Sequence, residues 1–190
     1  FTRVTSWLLA IGLAYIFLLD RTHYLNHWYL MVLLAVLLAV TPAGADLSVD
    51  TWLRPERRRR TVPAWSVGIL RAQLAIVYFY GGLAKLDAEW LAGRPLTLWL
   101  GRKGDVPVIG PLLVNEGVGI GMAWASTLFD LLIVPLMIWP RTRRFAYVVA
   151  IAFHLLNSRL FTIGVFPWAM LLVTAVFFPC DMPRRMWTDL

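Results

Sequence analysis

Apolar residues fall in continuous runs along this chain of 190 residues and do not alternate with polar ones. Continuous runs of this kind predict membrane-spanning helices, whereas alternation predicts the strands of a barrel. We therefore predict an all-α fold: a polytopic transmembrane helical bundle of about six spans, forming a single domain over residues 1–190. The predicted spans are Val4–Leu19, Trp28–Val40, Trp65–Leu86, Val118–Trp139, Phe145–Leu156 and Phe161–Phe178.

Proline positions subdivide these runs. Pro42, Pro63 and Pro140 lie between predicted spans and mark breaks in the chain. Pro135 and Pro167 lie inside predicted spans, so we expect them to kink the helices that contain them.

The charged residues predict an orientation in the membrane. If six spans alternate, eleven arginines lie on one side, and four arginines with Lys103 lie on the other. Positive charge marks the cytoplasmic side, so we predict a multi-pass plasma membrane protein, such as one of a bacterial inner membrane. This topology accounts for the formal charge of +7 without a nucleic-acid partner. The arginine-rich side comprises Arg3, Arg54, Arg57, Arg58, Arg59, Arg60, Arg141, Arg143, Arg144, Arg184 and Arg185.

Lys85 is the leading candidate for chemistry. Sixteen of the 18 basic residues are arginines, yet a lysine ends the third predicted span. Arginine keeps its proton in proteins, whereas a partly desolvated lysine can become a neutral amine and act as a base. An ionisable group in a membrane segment is a functional-site hypothesis by default. The structural alternative is that Lys85 reaches up to the lipid headgroups.

Further polar residues map to the same, non-cytoplasmic, ends of the spans. Asn26 and His27 open the second span, and His154 and Asn157 lie one turn apart near the end of the fifth. Three helices thus bring a lysine, two histidines and two amides to one leaflet. Each also has a structural interpretation: an interfacial His27, an inter-helix hydrogen bond for His154, a helix cap for Asn157.

Two other groups of residues have structural interpretations. Arg71 and Asp130 both lie inside predicted spans, and we expect an ion pair between them, because unpaired charges are costly in hydrocarbon. Gly81 and Gly82 permit close helix packing or access for a flat ring. The lone Cys180 excludes a cysteine-pair redox relay, and the three histidines show no zinc-site spacing, so we predict no metal.

Several short segments along the chain contain rare polar residues. They are Leu19-Asp20-Arg21-Thr22, Asn26-His27, Val62-Pro63-x-Trp65, Leu70-Arg71-x-Gln73, Gly82-x-x-Lys85-Leu86-Asp87-Ala88-x-Trp90 and His154-x-x-Asn157-Ser158-x-Leu160-Phe161. In this order the segments resemble the vitamin K-dependent gamma-glutamyl carboxylase family, including bacterial relatives that carry its core as a horizontally transferred transmembrane domain. The resemblance covers nearly the whole chain.

This resemblance implies an activity and a site. Lys85 would deprotonate a vitamin K hydroquinone (phylloquinol or menaquinol), which reacts with O2 to give the epoxide. The strong base formed on the way would drive carboxylation of a peptide or protein glutamate by CO2. His27 and His154 would share the catalytic site with Lys85 on the non-cytoplasmic side. The remaining predicted cofactor-binding residues are Asn26, Asn157, Tyr78 and Gly82.

The resemblance also leaves the extent of the reaction open. The family enzyme has further helices before the position of Phe1 and a large extramembrane domain after that of Leu190. The chain therefore corresponds to the membrane core, and epoxidation alone is as consistent with it as carboxylation.

Two other functions fit the same residues. One is a non-catalytic membrane module that binds lipid or quinone. The other is a membrane haem protein with His27 and His154 as axial ligands.

Overall fold

The chain folds into helices, as the apolar runs predict. The computed structural model describes residues 1–19, 25–104, 107, 109–180 and 182, and this part contains ten α-helices and no strand. The prediction of an all-α fold is confirmed. The helices are α1 (Thr2–Leu19), α2 (Asn26–Val40), α3 (Val49–Leu53), α4 (Ala64–Ala84), α5 (Ala88–Leu91), α6 (Arg94–Gly101), α7 (Gly110–Leu113), α8 (Glu116–Ile138), α9 (Arg143–Leu160) and α10 (Phe166–Thr174). Short 3-10 turns follow at Pro55–Arg57 and Ala175–Phe177.

Helices lie at all six positions where the sequence predicts spans. Within the described residues, α1, α4 and α8 are long and apolar enough to cross a membrane by length and composition. Asn26–Val40 and Phe166–Phe177 are shorter apolar helices. Helix α9 is longer than predicted, because it begins at Arg143 and continues to Leu160.

The sixth predicted span differs from its prediction. Helix α9 ends at Leu160, and α10 begins only at Phe166, so the two are separated by a short loop. Gly164 lies in this loop with φ 59°, a left-handed conformation that favours glycine. The kink expected at Pro167 is also wrong: this proline occupies the first turn of α10, where its missing N–H leaves no hydrogen bond unmade. Pro135 does lie inside a helix, α8.

The contacts divide the chain into two compact units, Phe1–Ala72 and Gln73–Leu190, with the division inside α4. The single domain expected from the sequence stays a prediction. In the first unit, α1 and α2 pack together, with the rings of Phe17 and Tyr29 6.0 Å apart. Ser48 then caps α3 through reciprocal bonds with Thr51, both 3.2 Å long.

The second unit is organised around α8. The segment containing α5 and α6 folds along the first half of this helix, where Trp90 Nε1 donates to the Ala123 carbonyl at 3.3 Å. Gly93 makes this path possible. Its φ is 71°, and a Cβ there would lie 2.8 Å from the Ile120 backbone. The contact buries an apolar cluster of Leu96, Leu100, Leu113, Ala123 and Leu160.

Candidate functional site

A cavity of about 760 Å³ lies within the second unit. Its walls come from α4, α8, α9 and α10, together with the segment that runs from Trp90 to Lys103. This volume falls within the range of small-molecule sites, and the lining has the usual character of such sites: mostly apolar, with a few polar groups. The polar side chains of the lining are Tyr78, Lys85, Arg102, Lys103, Ser126, Asp130, His154, Asn157 and Thr162.

Helical spacing explains how the last turns of α4, with Lys85 directly after them, contribute to this wall. Tyr78, Gly81 and Lys85 are three and four residues apart, so they lie along one face. The next wall is built in the same way, because Ser126 and Asp130 lie one turn apart on α8. The facing sides of α4 and α8 therefore place the amine of Lys85 and the carboxylate of Asp130 in the same part of the cavity.

Lys85 forms an ion pair with Asp130. Its Nζ donates to Oδ2 of the carboxylate, and the two side chains are 22% and 10% exposed. Nζ also lies 5.6 Å from the ring centroid of Trp90, within cation–π range. Together the two contacts fix the position of the amine in the cavity wall. The partners of Lys85 therefore come from α8 and from the segment that follows α4.

The pair lies well inside the length of α8. Asp130 is 14 residues from Glu116 and eight from Ile138, distances of about 21 Å and 12 Å along the helix axis. Lys85 comes directly after the end of α4, so α4 ends beside the middle of α8. The folded-back segment containing Trp90 packs along the remaining first half of α8. The segment that contains Trp90 thus covers one side of the Lys85–Asp130 pair.

His154 is the second buried functional group of the cavity. Its Nε2 is 3.0 Å from the Tyr78 hydroxyl, which is also 3.0 Å from Oγ1 of Thr174. All three side chains are buried, so these hydrogen bonds fix the orientation of the imidazole. A haem iron at Nε2 would require the Tyr78 bond to break. Among the described residues, no group of three histidine, cysteine, aspartate or glutamate side chains is placed to hold a metal ion.

Aromatic rings connect the ion pair to the histidine. Phe129 precedes Asp130 and Phe153 precedes His154, and the two phenyl rings stack with centroids 3.8 Å apart. Both rings make edge contacts with the imidazole, and of the two Phe153 lines the cavity. Flat aromatic surfaces beside a basic group suit a planar, apolar ligand that carries hydroxyl groups, and the cavity residues therefore fit a quinol.

The structure brings together four of the residues predicted from the sequence: Lys85, His154, Asn157 and Tyr78 all line this cavity. Asn26 and His27 begin α2 in the first unit, with Asn26 exposed and His27 half-buried. Their participation in the site stays a prediction.

Gly82 packs closely against Leu131 of α8. A Cβ at this position would lie 2.7 Å from the side chain of Leu131 and 3.2 Å from its backbone nitrogen. The neighbouring Gly81 lines the cavity, where a Cβ would lie 3.2 Å from Oδ2 of Asp130. The glycine pair thus allows α4 to approach α8 closely enough for Lys85 to reach Asp130.

Sequence reasoning missed the partner of Lys85. It assigned Asp130 to an ion pair with Arg71, which belongs to the first unit and whose pairing with Asp130 stays a prediction. Trp90 and Thr174 were also not identified. In the sequence, Thr174 is one hydroxyl residue within an apolar helix. A threonine in this position can bond to its own helix or to another one, so the sequence does not predict its hydrogen bond to Tyr78.

The apolar helices and this largely apolar cavity define the class: a helical membrane protein with a cavity of small-molecule size. Residues 1–182 match the sequence profile of the HTTM domain, so the chain belongs to the HTTM domain family. This is the domain found in vitamin K-dependent carboxylase. No solved structure matches the chain.

Proposed function

We propose that this protein is a quinol oxygenase of the carboxylase type, in which Lys85 and Asp130 together deprotonate a vitamin K hydroquinone. One observation carries the proposal: a lysine and a carboxylate are bonded to each other in the wall of an apolar cavity large enough for a small aromatic molecule. The carboxylase link of the family supports the same assignment.

The ion pair can act as a base if a proton first moves within the pair. An ammonium and a carboxylate in contact can also exist as an amine and a carboxylic acid, and burial favours this uncharged form. After Lys85 passes its proton to Asp130, the neutral amine accepts the proton of a quinol hydroxyl. The pair then carries one net positive charge beside the anion that it has produced.

His154 and Tyr78 have a positioning role in this proposal. The Tyr78 hydroxyl holds Nε2 of the imidazole, so the ring stays at a fixed angle beside the stacked Phe129 and Phe153. Through Nδ1, the nitrogen not bonded to Tyr78, a fixed imidazole in a largely apolar cavity can donate to a quinol oxygen without reorganisation. The roles predicted for Asn26 and His27, which belong to the first unit, stay predictions.

In this proposal, an aromatic layer beside the pair limits the entry of water. Trp90 and Trp99 pack edge to face at 6.4 Å, and Trp99 packs on Phe161 at 6.1 Å. Excluding water strengthens the electrostatic interactions in the cavity and protects a reactive base from quenching. When bound, the quinol supplies the reaction with O2 that yields the epoxide and the strong base. Carboxylation of a glutamate is the further step that the family link suggests.

Epoxide formation tests this proposal. The purified protein in lipid nanodiscs is incubated with reduced vitamin K and O2, and the epoxide is quantified by mass spectrometry. Lys85→Ala should reduce the rate roughly 100- to 10,000-fold, the usual range for loss of a general base. Arg94→Ala is the matched control, because Arg94 lies in the following segment, is 73% exposed and does not line the cavity. Equal rates in the Lys85→Ala and native proteins would overturn the proposal.

A second function is favoured by the same ion pair. A non-catalytic module that binds quinone or lipid could use the contacts of Lys85 with Asp130 and Trp90 simply to join α4 to α8. Such a module needs charge and reach at position 85, which arginine also provides, whereas a base requires a group that releases its proton.

A further inference from the structure

The first unit contains a second pocket, of about 420 Å³, which we call the arginine pocket. It lies where α1 begins, α2 ends and α4 begins, three helix ends on the side that the charge pattern assigns to the cytoplasm. Three arginines contribute to its lining: Arg3, Arg57 and Arg59. None of its residues lines the larger cavity, so a ligand bound in the arginine pocket would be independent of the proposed quinol chemistry.

The arginine pocket has an excess of positive charge. Among the described residues that line it, Asp50 is the one carboxylate, and its Oδ2 accepts a hydrogen bond from the backbone N–H of Thr2 at 2.6 Å. Within the described part of the chain, the guanidinium groups of the three arginines have no ion-pair partner. By contrast, the neighbouring Arg58, which does not line the pocket, is bonded to Asp46.

An exposed apolar face of α3 lies next to the arginine pocket. Val49, Trp52 and Leu53 are 62%, 79% and 56% exposed, and their spacing of three and four residues places them on one face of α3. Leu47, just before this helix, is 72% exposed. Exposed tryptophan and leucine beside arginines are typical of a segment that lies in the plane of a membrane surface.

We infer that the arginine pocket binds the phosphate of an anionic phospholipid, while the exposed face of α3 inserts among the neighbouring acyl chains. Guanidinium groups bind phosphate oxygens through paired, charge-assisted hydrogen bonds. The pocket opens where the apolar helices end, at the depth of a headgroup. The adjoining apolar face favours a lipid over a soluble phosphate, because only the lipid supplies hydrocarbon beside its anion.

Lipid binding by the purified full chain tests this inference. The change in thermal unfolding temperature is measured during titration with phosphatidylglycerol, with phosphatidylcholine and with inorganic phosphate. The native protein should be stabilised by phosphatidylglycerol at concentrations at which the other two have no effect. Equal stabilisation by phosphatidylcholine would overturn the inference. Equal stabilisation by inorganic phosphate would show that the pocket binds free phosphate and not a lipid, which would also overturn it.

A pair of double variants distinguishes the pocket from general surface charge. Arg57→Gln with Arg59→Gln should weaken the apparent affinity for phosphatidylglycerol roughly tenfold or more. Arg54→Gln with Arg60→Gln removes the same charge from the same loop, but neither residue lines the pocket, so its affinity should change less than about threefold. Equal losses in the two variants would overturn the inference. If the first variant does not fold, Arg3→Gln tests the same pocket from α1, with an expected loss of roughly threefold or more.

Discussion

The two units bury their apolar residues to different extents. In α1, 6% of the apolar window is buried within the protein, whereas the corresponding share in α8 is 33%. Lipid tails solvate exposed apolar side chains in a membrane, so the open surface of α1 carries no penalty there. Buried polar groups need protein partners, and the described ones of the second unit have them: Thr127, Asp130, His154 and Thr174. The candidate chemistry therefore lies where helices bury one another.

Breaking the ion pair should have the largest effect on stability. Asp130→Asn leaves the Lys85 ammonium without its carboxylate, which should destabilise the protein by about 3 kcal/mol. The double variant Lys85→Met with Asp130→Leu replaces both charges with apolar groups and should recover most of that stability while remaining inactive. Thermal unfolding in detergent measures the first effect, and epoxide formation measures the second. A double variant as unstable as Asp130→Asn would contradict this account of the pair.

Equivalent leucine truncations should sharpen the contrast between the units. Leu74 is fully buried in the second unit, and its replacement by alanine should cost about 2–3 kcal/mol because a cavity is left. Leu8 on α1 is 64% exposed, so Leu8→Ala should change the stability by less than about 0.5 kcal/mol. Comparable losses in the two variants would show that α1 is buried as deeply as α4.

Glycine substitutions test the close approach of α4 and α8. Gly82→Ala should destabilise the protein by about 1–2 kcal/mol, because its Cβ meets the side chain and backbone of Leu131. Gly121 on α8 has nothing within 4 Å of an added Cβ, so Gly121→Ala should be neutral or slightly stabilising. The two unfolding temperatures provide the comparison, and an unaffected Gly82→Ala protein would mean that the helices are further apart.

Removing one hydroxyl should have the smallest effect. Tyr78→Phe deletes the group that joins His154 to Thr174, which should cost about 1 kcal/mol of stability. If the imidazole is positioned by this bond, epoxide formation should fall roughly tenfold, with quinol binding measured by tryptophan quenching almost unchanged. An unchanged rate would remove Tyr78 from the proposed machinery.

The sequence predicted the helices better than it predicted the site. Runs of apolar residues identified α1, α4 and α8, because hydropathy over a span is a local property. The partner of Lys85 could not be predicted in that way. If the predicted spans are treated as straight helices, Lys85 lies at the outer end of the third span. Asp130 then lies inside the fourth span, nearer its inner end. The segment that follows Lys85 instead folds back along α8 through Gly93 and Ile120, a long-range contact that no periodicity encodes.

The central claim is that Lys85 acts by releasing and accepting a proton, and Lys85→Arg tests it most directly. Arginine keeps the positive charge and the reach to Asp130 but cannot become a neutral base. Epoxide formation by the native and Lys85→Arg proteins is measured at equal quinol occupancy, established by tryptophan quenching. The account predicts a loss of at least roughly 100-fold with quinol binding retained. A Lys85→Arg protein that turns over within about threefold of the native rate would contradict it.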